Sequence, residues 1–146
     1  MTKSTSTSTT NASPELSEIQ TQLESASEKK QLQLIPTIIE KGDAGNKVLM
    51  EFLLKRFSDS PGITEGRIYQ LLCQANSAKT NEFILSKFPQ GLVPLKSEKN
   101  VDYSQLQDLL VRENFQAADK LTIQKLCELA GESAVKRKWL YFSEAD

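Results

Sequence analysis

The sequence predicts an all-α protein in two parts, an antiparallel helical bundle followed by a helical hairpin. Three observations carry that prediction. From Pro14 onward, apolar residues recur three and four positions apart. Before Pro89, no segment sustains an alternation of apolar and polar residues, so no strand is expected there. Pro, Gly, Ser and Asn stand between the periodic stretches, where caps and turns need them.

Residues 1–13, MTKSTSTSTTNAS, are nearly all Ser and Thr, too polar to offset their ordering entropy, and predict a disordered tail. The tail has one Lys and no Arg, which sets it apart from the Arg-rich, amphipathic plastid transit peptides. Ser13-Pro14-Glu15 then supplies an N-cap, a proline for the first helical position and an acid for the first turn. Leu16, Ile19, Leu23 and Ala26 follow at helical spacing. QLQLIPTIIEKGD predicts a short second helix, with Pro36 either kinking it or in its first turn, and Gly42 offering a C-terminal cap. AGNKVLMEFLLKRF sets Leu49, Phe52, Leu53 and Phe57 on one side of a third helix. After Ser60-Pro61-Gly62, a fourth helix carries Ile68, Leu71, Leu72 and Ala75. A fifth carries Phe83, Ile84 and Phe88 and closes at Pro89 and Gly91. The phrase LIPTIIEKGDAGNKVLMEFLLKR, helix, Gly-Asp turn, helix, resembles one unit of the HEAT or armadillo repeats, though any antiparallel helical hairpin shares that pattern.

Residues 14–90 are therefore expected as one helical-repeat-like domain. GLVPLKSEKNVD, residues 91–102, breaks the pattern and is expected as a linker. Residues 103–146 form the second module. Tyr103, Leu106, Leu109 and Leu110 line its first helix. Ile123, Leu126, Cys127 and Ala130 form the stripe of the second, which Gly131 ends. Asp119 lies one turn before Ile123 on that stripe. A buried acid there would need hydrogen bonds from the helix start or from Tyr103.

Composition excludes much chemistry. The 146 residues carry 18 Lys and Arg against 19 Asp and Glu, a net charge of −1, so no overall field draws the chain to nucleic acid. His is absent, which removes the commonest general base, the commonest metal ligand and every Ser-His or Cys-His pair. No phosphate-binding glycine loop and no CxxC occurs. Neither a catalytic set nor a metal site can be assembled. Cys73 and Cys127, the two cysteines, are expected as core thiols in a reducing compartment. No apolar run reaches the length of a transmembrane helix.

Asp102-Tyr103-x-x-Leu106-x-x-Leu109-Leu110, Phe115-x-x-Ala118-Asp119-x-x-Thr122-x-x-x-Leu126-Cys127 and Trp139-Leu140 together resemble the opening of the genomes-uncoupled-four family, porphyrin-binding regulators of magnesium chelatase in chlorophyll synthesis. SASEKKQLQLI, YQLL and FPQGLVPL resemble the N-terminal helical domain of its cyanobacterial members. The likeness covers nearly the whole chain from about Pro14. One departure stands out. The family's FGFS segment, with most of its basic and aromatic cavity residues, has no counterpart here, so the resemblance implies an incomplete binding module and weakened binding.

The resemblance further implies a non-catalytic accessory factor for protoporphyrin IX and magnesium protoporphyrin IX, with magnesium chelatase subunits as partners. It implies a cyanobacterial cytoplasm or a plastid stroma, and admits peripheral association with the photosynthetic membrane. No covalent cofactor is implied. In KRKWLYF, residues 136–142, a basic cluster able to meet carboxylates adjoins three aromatics able to stack on a macrocycle. By resemblance Phe142 is the pocket residue, with Trp139 and Arg137 behind it. The alternative places Trp139, Leu140 and Phe142 in the core and Lys136 to Lys138 in a solvated loop that complements the preceding helix end. No axial ligand can be named, since the two methionines, Met1 and Met50, lie outside the module. Two other functions compete: a helical-repeat module that binds a protein partner by its concave face and takes no ligand, and a small enzyme.

Overall fold

Helix after helix follows the predicted punctuation in the computed structural model, which describes residues 14–58 and 60–144. The tail predicted over residues 1–13 lies outside the described residues. Those described form eight α-helices and one 3-10 turn, with no strand. The chain divides into two compact units between Lys55 and Arg56.

The first unit holds α1 (Pro14–Ser25), α2 (Glu28–Ile39) and α3 (Asp43–Arg56) as far as Lys55. Helix α1 packs on α2, and Leu23, Ile35 and Ile38 are fully buried. Gln31 is buried with them because its amide Nε2 donates to the Leu23 carbonyl at 3.0 Å, near the end of α1. Pro36 sits inside the last part of α2 on its exposed side, where water can reach the carbonyl that proline leaves without a donor. Gly42 adopts the left-handed conformation predicted for a cap (φ +67°) and donates to the Ile39 carbonyl at 3.1 Å. Val48, Leu49, Phe52 and Leu53 bury the inner side of α3.

The second unit holds α4 (Ile63–Ala75), α5 (Ala78–Lys87), α6 (Ser104–Val111), α7 (Phe115–Ala130), α8 (Glu132–Arg137) and the 3-10 turn Phe142–Glu144. At the start of α4 the Glu65 carboxylate takes the Gly62 N–H at 2.8 Å and Arg56 Nε at 3.2 Å, which is how an acid only 5% exposed is kept satisfied. Ser77 and Thr80 cap α5 reciprocally, hydroxyl to backbone in both directions. Four aromatics meet edge to face around Phe88, with Phe57, Tyr69 and Phe83 centroids at 5.1, 6.0 and 5.8 Å. Phe57, placed with the inner residues of the third helix by its spacing, is instead half exposed at the rim of this cluster.

Segment 91–102 carries no helix. Leu92 is buried, Gln107 Nε2 reaches the Val93 carbonyl at 3.5 Å, and Lys99 Nζ donates to the Leu129 carbonyl at 3.3 Å near the end of α7. Asp102 accepts the Ser104 N–H and hydroxyl at 2.9 and 2.7 Å and so opens α6. Asn114 caps α7. Gly131 ends α7, as its position predicts, with φ +109° and its N–H on the Cys127 carbonyl.

Two expectations for this hairpin need correction. The apolar stripe of α7 is not buried as one line: Cys127 is, whereas Ile123 and Leu126 are nearly half exposed. Asp119 is exposed and takes no hydrogen bond from Tyr103 or the helix start, because the stripe around it faces water. Residues 136 and 137 are also not loop; they end α8, where their positive charge complements the helix's own C-terminus.

Candidate ligand-binding face

Helices α7 and α8 meet at Gly131 and pack together. Ala134, fully buried, anchors α8, while Val135 beside it stays about half exposed. Between the two helices lies a hollow of about 530 Å3, walled by Ile123, Cys127 and Val135 and edged by Lys120, Gln124, Glu128 and Lys138. Its volume is that of a small-molecule site, and apolar walls with charged edges suit an amphipathic ligand.

Lys138 caps α8 in the left-handed conformation (φ 65°) and turns the chain out of the helix. The segment that follows folds back onto Arg137. The guanidinium carbon lies 5.0 Å from the Trp139 ring centroid and 4.8 Å from that of Tyr141. The two rings touch edge to face at 4.6 Å. Arg137 Nη2 donates to Glu144 Oε2 at 2.6 Å, and the same oxygen accepts the Tyr141 N–H at 2.9 Å. Those two bonds, the backbone one first, hold the Glu144 carboxyl below its ordinary pKa. Arg137 Nε is buried and meets no acceptor.

The three predicted residues thus separate into two kinds. Arg137 and Trp139 are brought into contact, with Trp139 still 48% exposed. Phe142 stands outside that contact at 96% exposed, which overturns the core alternative for it. Tyr141 and Glu144 complete the cluster and were not singled out by sequence reasoning. Aromatic density in WLYF hints at Tyr141. Nothing in the sequence signals Glu144, since its partner lies seven residues back across a break in the helix. Lys120 was likewise missed, whereas Lys138 belongs to the basic cluster read in KRKWLYF.

Elsewhere in the unit, a hollow of about 590 Å3 lies along the 89–95 segment, between Phe57, Lys87 and Asp102. The Cys73 and Tyr69 side chains are buried, and burial raises both pKa values, so neither is a ready nucleophile. Among the described residues no group of three or more Cys, Asp or Glu is placed to hold a metal ion. No helix among them is long and apolar enough to cross a membrane.

Comparison with known proteins bears on both units. Residues 7–89 match the family described as an ARM-like repeat domain, GUN4-N terminal, and residues 96–146 match the GUN4-like family. A Ycf53-like protein of Synechocystis sp. is 38% identical over 135 residues, which cover 92% of this chain and 58% of that protein. An uncharacterized protein ycf53 of Porphyra purpurea is 42% identical over 119 residues, covering 80% of this chain and 50% of that one. Its namesake in Pyropia yezoensis is 32% identical over 133 residues, covering 89% and 56%. The chain spans about half the length of these curated relatives.

Proposed function

The chain belongs to the GUN4-like family, with that family's ARM-like repeat domain at its N-terminus, and from this membership we propose that it is a tetrapyrrole-binding accessory factor rather than a catalyst. Its ligands are protoporphyrin IX and magnesium protoporphyrin IX, and it acts on magnesium chelatase by delivering or shielding the pigment, in a cyanobacterium or a plastid. The observation that carries the reading is Phe142, a large aromatic left 96% exposed beside the half-exposed Trp139 and Tyr141. Three exposed aromatics gathered in one turn make the kind of contiguous apolar patch that marks a binding site.

A tetrapyrrole is a flat apolar disc with carboxylates at one edge. Phe142 and Trp139 supply faces on which the disc can stack, and Arg137 lies behind them. Lysines at 136 and 138, both exposed, offer charge for carboxylates near the same turn. The groups this turn offers a ring are aromatic faces and cationic edges.

Titration of deuteroporphyrin into the chain, followed by quenching of Trp139, tests the reading directly, because Trp139 is the sole tryptophan. Saturable quenching is expected, with an affinity weakened by the incomplete module; a linear, non-saturating response refutes the reading for this chain. The match over residues 7–89 favours a second reading, a protein-recognition module without a ligand. Capture of chelatase subunits by a chain that leaves porphyrin unbound would establish that one.

A further inference from the structure

Resting on the tetrapyrrole reading, we propose that Arg137 and Glu144 are positioning residues: they pin the turn that presents Phe142, and Arg137 takes no carboxylate from the ligand. The guanidinium is already engaged. Its charge is matched by Glu144 at 2.6 Å, and it lies within 5.0 Å of two aromatic rings. Its Nε is buried, so that donor is closed to an incoming carboxylate. Glu144 has a second duty. The oxygen that binds Arg137 also takes the Tyr141 N–H at 2.9 Å, and the Glu144 N–H returns to the Tyr141 carbonyl at 3.0 Å. One carboxylate therefore ties the turn to itself and to the end of α8.

Phe142 sits between the two tied residues. Left to a loose chain, an exposed phenylalanine would collapse onto the nearest apolar surface. Here the turn keeps it turned out to water. An anchor held ready in this way binds with less ordering cost than a mobile one. Arg137 and Glu144 thus serve the ligand through Phe142 without touching it.

The test uses the full chain, with deuteroporphyrin and its dimethyl ester as probes in the same detergent. Glu144→Ala is expected to weaken both probes alike, by roughly three- to ten-fold, the range for releasing one immobilised side chain. Glu144→Gln, which keeps an acceptor for the Tyr141 N–H, should recover part of that loss. Arg137→Lys, which keeps the charge but not the planar fork, should also weaken acid and ester equally. In a Phe142→Ala background, Glu144→Ala should cost nothing more. A loss that persists in that background, or one seen with the acid and not the ester, overturns the proposal. If the unaltered chain binds neither probe, the tetrapyrrole reading fails; acrylamide quenching of Trp139 then judges the clip alone. Glu144→Ala must raise that quenching, and an unchanged value overturns the clip.

Discussion

Alanine for Gly45 should destabilise the protein, although glycine inside a helix ordinarily costs about 1 kcal/mol relative to alanine. Gly45 lies in the first turn of α3, tight against the end of α2. A Cβ built there would stand 1.8 Å from the Ile38 carbonyl oxygen, 2.8 Å from its carbon and 3.3 Å from Lys41 Cβ. Two of these obstacles are backbone, and the Ile38 oxygen already receives the Lys41 N–H at 3.1 Å. No rotamer change can relieve the clash. To regain even 3.0 Å, α2 and α3 would have to part by more than an ångström. Overpacking of that kind costs about 1–3 kcal/mol, and a backbone obstacle puts it at the upper end, above the propensity gained. The expected net loss is about 1–2 kcal/mol, or a fall in Tm of several degrees. Gly66, inside α4, has nothing within 4 Å of its missing Cβ, so Gly66→Ala should stabilise by up to ~1 kcal/mol. Thermal and urea unfolding followed by far-UV circular dichroism separates the two. Equal shifts of the same sign would refute the argument.

Gly91→Ala should cost about 1–2 kcal/mol, since φ is +82° and the new Cβ would displace Gln107 from its bond to the 91–102 segment; urea midpoints check it. Both thiols should label slowly with a disulfide reagent at pH 8 and quickly in denaturant, because Cys73 and Cys127 are 8% and 3% exposed; fast native labelling of either would contradict its burial. Glu144 titrates below its ordinary value of 4.5 in the folded chain, so its contribution is full above that value and disappears as the pH falls through the lowered one. Trp139 emission should therefore shift to the red on acidification below about pH 4.5, and Glu144→Gln should abolish the transition.

Helix positions were legible because their punctuation is chemical and local. Pro14 can begin a helix and Gly131 can end one whatever surrounds them. Helix α8 was not legible. Its six residues are too few to be stable by propensity, and it exists because Ala134 is buried after the turn at Gly131. Phe142 could be picked out by resemblance, but its exposure could not, since composition does not tell a stacked aromatic from a solvent-facing one. The Arg137–Glu144 pair was hidden for a related reason: only the three-dimensional return of the chain brings residues seven apart together outside a helix.

The acid on the apolar stripe of α7 has an answer in the same geometry. Periodicity finds the side on which apolar residues gather, but it does not say whether that side is covered. Ala118 and Cys127, the two buried residues of α7, lie nine positions apart, about half a turn around the axis. Helix α7 is thus gripped from opposite sides, in keeping with its packing against both α6 and α8. Phe115, Asp119, Ile123 and Leu126 occupy the strip left between, and all four are exposed. An unpaired carboxylate is stable there because it remains in water. The same carboxylate restricts what could lie on the strip. A purely apolar cover would strand the charge at a cost of several kcal/mol. The anionic edge of a porphyrin would meet a like charge. On the tetrapyrrole reading, the carboxylates of the ligand therefore point away from Asp119 and toward the lysines at 136 and 138, which adjoin the aromatic turn.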